Sequence, residues 1–318
     1  MWKILGVVAL VAAVAILLAA FYISQTATAA GQPTAAGCPK DVLVYAAPTL
    51  VRLGRDVLTQ AGSFTAGLLS IGSVEAVKRI SQGAVPDLYL SVDIELAKEV
   101  ERALEIYPLG RFRISLVCRK PLGSPQELAR LRTALSDPSK APIGYRELAL
   151  VWMLYRDGWA DLLGRYRELG IGFVESGGVV NITTPIVLPS TSSVAVAPNL
   201  DASWTLFETG GVDCVFAHTP FLMGRVELGE AVASTGLWTI HRGQYGRDAV
   251  YVHIFKPPYD FFDDPPYEIY INFVDSGRLV RRLKVIHFEA FAAAFSQKGA
   301  CILDVIKKME LGRYGIYR

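Results

Sequence analysis

Between Asp41 and Cys118 the chain alternates short apolar runs with helical segments. The run VLVYAA (42–47) is followed by a helical stretch, 49–60, with Leu50, Leu53, Val57 and Leu58 on one side. Residues 68–71 are followed by a second, 74–82, which opens at Gly72-Ser73 and ends at Gly83. The run PDLYLSVD (86–93) is followed by a charged helix, 94–106, and residues 113–118 supply a fourth strand. Apolar runs this short, rich in β-branched residues, read as strands buried on both faces. The β-α-β-α-β-α order predicts an α/β chain with a doubly wound, mainly parallel sheet and right-handed crossovers.

A second block begins near Pro121. Ser124 with Glu127 three residues later is a capping box and predicts a helix over 124–135. Residues 145–167 read as an amphipathic helix. Extended segments are expected at 172–178, 179–182 and 186–188, a helix at 203–208, and a buried strand at 212–217. The remainder, 250–318, holds strands at VYVHIF and YEIYINFV and two helices, 285–296 and 301–311. No internal repeat is present.

Before this body lies a run without charge, residues 4–23, reaching about 30 Å as a helix, the thickness of a bilayer core. Lys3 is a minimal positive flank. A signal peptide cleaved near 27–30 and a retained anchor both fit, and the length of the run favours the anchor. Lipidation of Cys38 is the weaker reading, because 14 residues separate Cys38 from the apolar run. A tether of small and polar residues then leads to the body, so residues beyond about 40 are expected outside the cytoplasmic membrane. The run also explains part of the composition, which is 52% hydrophobic and only 19% charged.

A length of 318 residues suits two domains. The net charge of +2 offers no basic footprint for nucleic acid, and Arg278, Arg281, Arg282 and Lys284 read as a solvated face. The four cysteines have no CxxC spacing. Cys118 and Cys214 lie in apolar runs and read as small core residues. A disulfide is permitted outside the cell, but its pairing cannot be deduced from spacing.

Candidate ligand-binding residues stand where strands turn into helices. Thr49 follows the first strand, and Gly72-Ser73 follows the second. Ligands of open α/β sheets bind at such carboxyl ends, and free N–H groups of a helix N-terminus favour an anion. Plain N-caps are the alternative. Tyr145 and Arg146 open the long helix of the second block, where Arg146 either reaches a ligand or pairs with Glu147 or Asp157 on the surface. His218 ends a buried strand. The acidic loop Asp260, Asp263, Asp264, Glu268 lacks the EF-hand spacing and reads as solvated. No metal site, cofactor motif or enzyme signature is present, so no enzymatic activity is expected.

The segments VLVYAAPTL (42–50), SIGSVEAVKRISQGAVPDLYLSVD (70–93), DPSKAPIGYR (137–146), LFETGGVDCVFAH (206–218) and FEAFAAAFSQKGACIL (288–303) resemble the solute-binding proteins of ABC importers. Within the type II periplasmic-binding fold they are most similar to the molybdate/tungstate-binding group. The resemblance implies two α/β lobes closing over a small oxyanion, and delivery to an ABC permease at the outer face of the membrane. It divides the chain into a signal or anchor (1–30), a tether (31–40), lobe I (41–115 and 230–318) and lobe II (116–229). Thr49 stands where the family has a serine, and Ser73 matches its second serine. The second lobe departs from the pattern. Ala141 stands in place of an aspartate, Leu200 in place of a carboxylate with Asp201 adjacent, and Ala217 in place of a glutamate before His218. These departures count against a six-coordinate metal site built on two carboxylates, and leave open a tetrahedral oxyanion held by hydroxyl and N–H groups or a different small solute. A surface-anchored enzyme on the same fold, or a divergent sensor or interaction module without the ligand, are the alternatives.

Overall fold

The structure is a computed structural model that describes residues 37–63 and 67–318. The expected membrane or signal segment and most of the tether lie outside the described residues. Among the described residues, no helix is long and apolar enough to cross a membrane.

The first block folds much as its pattern predicts. Strand β1 (Leu43–Ala46) passes through a 3-10 turn at Pro48–Leu50 into helix α1 (Val51–Gln60). Strand β2 (Gly67–Ser70), helix α2 (Ser73–Ser81) and strand β3 (Leu88–Ser91) follow. Helix α1 buries Leu53, Gly54, Val57 and Leu58, the side that the apolar spacing marks. The expected helix at 94–106 does not form. Instead a 3-10 turn spans Ile94–Glu99, and Glu105–Arg111 is strand β4. Strand β5 (Ile114–Cys118) is entered through Phe112-Arg113.

The second block departs further. The expected capping pair is present, with Ser124 N–H donating to Glu127 Oε1 at 3.0 Å. It starts only a 3-10 turn, Pro125–Arg130, and Thr133–Ser136 is strand β6. The long helix divides into α3 (Pro142–Arg156) and α4 (Leu163–Arg167). Gly158, at φ +75°, lets the chain turn between them. Helix α3 is buried from Pro142 through Leu154, so it is an interior helix and not a surface amphipathic one. Strands β7 (Gly172–Ser176), β8 (Val179–Pro185) and β9 (Val194–Ala197) lead to helix α5 (Leu200–Glu208). Strand β10 (Cys214–His218) and the short helix α6 (Thr219–Leu222) follow.

The last part is mostly sheet. Its strands are β11 (Glu227–Ser234), β12 (Trp238–Tyr245), β13 (Asp248–Phe255), β14 (Glu268–Asp275) and β15 (Arg278–Lys284). The expected helix over 285–296 is instead an extended crossing and strand β16 (Glu289–Ala294), before helix α7 (Gln297–Lys307). The sequence EAFAAA of β16 has high helix propensity, but the strand lies between β3 and β4 in the first sheet. Its pairing on both edges outweighs a local preference of a few tenths of a kcal/mol per residue, ~0.5.

The strands form three sheets. The first has the order β2-β1-β3-β16-β4, with β1 parallel to β2 and β3 and with β16 antiparallel to both neighbours. The second has the order β11-β12-β13-β5-β10-β6-β9, parallel only across β10, β6 and β9. The third, β15-β14-β8-β7, pairs β14 parallel to β8. The sheets are therefore mixed, where mainly parallel ones were expected. Strands β12 to β15 (238–284), expected with the first lobe, pair in the second and third sheets. Only the segment from β16 onward returns to the first.

Two disulfides join distant parts. Cys38, ahead of β1, is bonded to Cys301 on α7. Cys118 and Cys214 are buried, as their apolar runs predict, and are bonded to each other. Antiparallel pairing sets them directly opposite, with Cα atoms 4.2 Å apart.

Candidate functional site

The carboxyl ends of β1, β2 and β10 face the N-terminus of α3, and four of the predicted residues, Thr49, Gly72, Ser73 and His218, meet there. Ala47, Pro48 and Thr49 follow β1, and Gly72 and Ser73 follow β2. Ala141, Pro142 and Ile143 open α3, Leu200 opens α5, His218 ends β10, and Val92 completes the lining. No lining side chain is a carboxylate, an ammonium or a guanidinium. The space traced by the centre of a water molecule is about 10 Å³, roughly room for one water.

Thr49 and His218 form a buried contact across the cleft, Oγ1 to Nδ1, at 2.6 Å. Phe112 and Phe288 lie edge-on to the imidazole at 5.0 and 4.6 Å. Burial holds the His218 pKa well below its ordinary value, and the nearby Arg146 charge adds to the effect. The ring is therefore neutral near pH 7. Its Nε2 is buried and has no hydrogen-bond partner among the described residues. When the Thr49 hydroxyl donates to Nδ1, Nε2 carries the proton and is an unmet donor at the cavity.

Ser73 begins α2 and is fully buried. Its Oγ accepts from the Val92 N–H at 3.3 Å, and its carbonyl accepts from the Tyr89 hydroxyl at 2.8 Å. Gly72 is the cap of α2, and a Cβ there would stand 2.5 Å from the Lys140 carbonyl oxygen. That oxygen accepts the N–H groups of Val74 and Glu75 at 3.2 and 3.4 Å. The first turn of α2 is thus met by a backbone dipole from the turn that precedes α3, at the position where helix N–H groups would otherwise hold an anion.

Three predicted residues do not line the cavity. Tyr145 is buried, and its hydroxyl accepts from Arg146 Nη1 at 3.0 Å. Arg146 is neither a ligand group nor a surface residue. Both it and Asp93 are 0% exposed, and Nη2 meets Asp93 Oδ1 at 3.0 Å. It also donates to the Ile286 and His287 carbonyls, at 3.0 and 2.9 Å, on the extended segment between β15 and β16. The Phe288 ring lies beneath the guanidinium at 4.4 Å. Asp201 points to the rim, where it accepts from the Ser70 hydroxyl at 2.6 Å and pairs with Arg225 at 3.3 Å. Leu200 takes its place in the lining.

Sequence reading missed Asp93 and Lys140. Asp93 closes PDLYLSVD, where a carboxylate immediately after a buried strand was a usable signal. Lys140 carried none, because its part is played by its carbonyl. Among the described residues no group of histidine, cysteine, aspartate or glutamate is placed to hold a metal ion.

No protein-family model matches the chain, and no curated protein matches it. Solved structures do. The Azotobacter vinelandii periplasmic molybdate-binding protein is 16% identical and aligns with a TM-score of 0.53, covering 87% of this chain and 99% of its own. The protein PEB3 bound to L-phospholactate is 11% identical at a TM-score of 0.47, covering 87% and 100%. At 16% identity the likeness to the Azotobacter protein is one of fold. The described body of this chain is a mixed α/β fold similar to that of the Azotobacter protein.

Proposed function

We propose that this protein is an extracytoplasmic solute-binding protein. It captures a small oxyanion between its lobes and delivers it to an ABC permease, with no chemistry on the solute. The observation that carries this reading is the convergence of Thr49, Gly72, Ser73 and His218 from both lobes on one buried, neutral cavity. A neutral imidazole with an unmet nitrogen, hydroxyl groups and helix N–H groups is a donor set for an anion. Room for about one water means that the lobes must part to admit the solute, which then replaces the Lys140 carbonyl at α2. Two disulfides suit an oxidising compartment outside the cytoplasm.

The test is thermal unfolding of the full chain with molybdate, tungstate, sulfate or phosphate. An oxyanion at about 100 times its Kd stabilises by about 2.7 kcal/mol, a shift of several degrees. No shift with any of the four sinks the oxyanion assignment. A second reading, a module that keeps the fold and has lost the solute, is favoured by the Lys140 carbonyl already serving α2. It expects no shift with the oxyanions and none with a broader set of small solutes.

A further inference from the structure

The chain has three asparagines, Asn181, Asn199 and Asn272, and Asn181 alone begins an Asn-x-Thr triplet, Asn181-Ile182-Thr183. A hydroxyl two residues after an asparagine, with no proline between, is the pattern at which exported proteins accept N-linked sugar. The triplet lies inside strand β8, where side chains two residues apart point to the same side. Val180, Ile182 and Thr184 are buried, so their side belongs to the core. Asn181 and Thr183 share the opposite, partly exposed side.

Two neighbours flank Asn181 in register, Val174 on β7, which is 60% exposed, and Tyr270 on β14. The Asn181 side-chain oxygen accepts from Asn272 Nδ2 at 3.2 Å and from Arg282 Nη2 at 3.4 Å. A guanidinium only donates, so Arg282 identifies which end of the amide is oxygen. The other end, Asn181 Nδ2, has no hydrogen-bond partner among the described residues. The atom that would carry a sugar is thus the one that the sheet leaves uncommitted.

We propose that Asn181 is an N-glycosylation site whose co-substrate is an oligosaccharide carried on a lipid phosphate. Asn181 Nδ2 forms a bond to the anomeric carbon of the first sugar. The bond from that carbon to the phosphate oxygen breaks, the lipid phosphate leaves with its electron pair, and Nδ2 releases one proton. Nothing is oxidised or reduced. Asn272 and Arg282 hold the amide oxygen, and the sugar extends from Nδ2 beside the exposed Val174. The proposal rests on the extracytoplasmic location proposed above, and it is independent of what the Thr49 cavity binds. An asparagine kept only for its sheet contact with Asn272 needs no hydroxyl at position 183.

The test expresses the full chain in its own host, separates cytoplasmic from membrane and external fractions, and weighs the intact protein and the peptide that holds Asn181 by mass spectrometry. The chain outside the cytoplasm should carry the mass of one glycan, located on Asn181. The added mass should vanish in Asn181→Gln and in Thr183→Ala and persist in Thr183→Ser. The serine variant keeps the hydroxyl while shortening the side chain, so it separates loss of the signal from loss of the fold. A bare Asn181 in chain recovered outside the cytoplasm overturns the proposal and leaves the location standing. A glycan that survives Thr183→Ala also overturns it, since the hydroxyl then plays no part. Bare chain confined to the cytoplasm removes the extracytoplasmic reading itself, and this proposal with it.

Discussion

Replacing Asp93 with alanine removes the carboxylate that meets Arg146 at 3.0 Å, at a point where both side chains are 0% exposed. A buried charge left without its partner destabilises by about 3–5 kcal/mol. Arg146 keeps the Ile286 and His287 carbonyls and the Tyr145 hydroxyl, at 3.0, 2.9 and 3.0 Å, so the lower end applies, about 3 kcal/mol. That corresponds to a Tm lower by about 6–12 °C. Arg146→Met should destabilise at least as much. It strands the Asp93 carboxylate, whose Oδ2 already has no partner among the described residues, and frees two carbonyls. The double variant Asp93→Ala/Arg146→Met carries neither charge and should lose about 2–3 kcal/mol less than the sum of the single losses. Urea unfolding of the three variants measures these values. Additive losses, or Asp93→Ala within about 0.5 kcal/mol of the parent, would refute the tie between Asp93 and Arg146.

Burial lowers the His253 pKa to about 4, so its unfolded form binds a proton near pH 6.5 that the folded form refuses. Stability from this group is complete above about pH 6.5 and is lost as pH falls, by about 2 kcal/mol between pH 7 and 5. His218, also lowered by burial, acts with the same sign. Urea midpoints at the two pH values should lie closer together in His253→Gln, and an unchanged gap would contradict the assignment. Reducing the disulfides should lower stability by about 2–5 kcal/mol each. Thiol labelling should find no reactive cysteine until the chain is denatured and reduced, since none is free among the described residues. Gly72→Ala drives a methyl against the Lys140 carbonyl, 2.5 Å away. It should destabilise the closed form by about 1–3 kcal/mol, read as a lower unfolding midpoint.

The elements that the sequence predicts well are those whose local pattern and tertiary setting agree. Helix α1 buries the side that Leu53 and Val57 mark, and β1, β3 and β10 are as apolar as buried strands should be. The failures fall where pairing overrides propensity. The end of the helix expected at 94–106 is taken into strand β4 (Glu105–Arg111), and the alanine-rich stretch at 289–294 becomes a strand paired with it. Ser124 with Glu127 is a true cap, but only a 3-10 turn grows from it, since Thr133–Ser136 is drawn between β10 and β9. At the site, Thr49, Gly72, Ser73 and His218 stand together as strand-end logic predicts. Arg146 does not, because a guanidinium at a helix start looks alike whether it faces a solute or Asp93.

By itself the sequence determined the α/β class, the first three strands and the strand-end residues of the cavity, because periodicity and turn chemistry act over a few neighbouring residues. The tertiary structure alone decided the mixed sheet order, the pairing of Cys118 with Cys214 and of Cys38 with Cys301, and the tie between Arg146 and Asp93. Each of these joins residues far apart in the chain, and such contacts depend on strand register and tertiary packing, which no local pattern encodes.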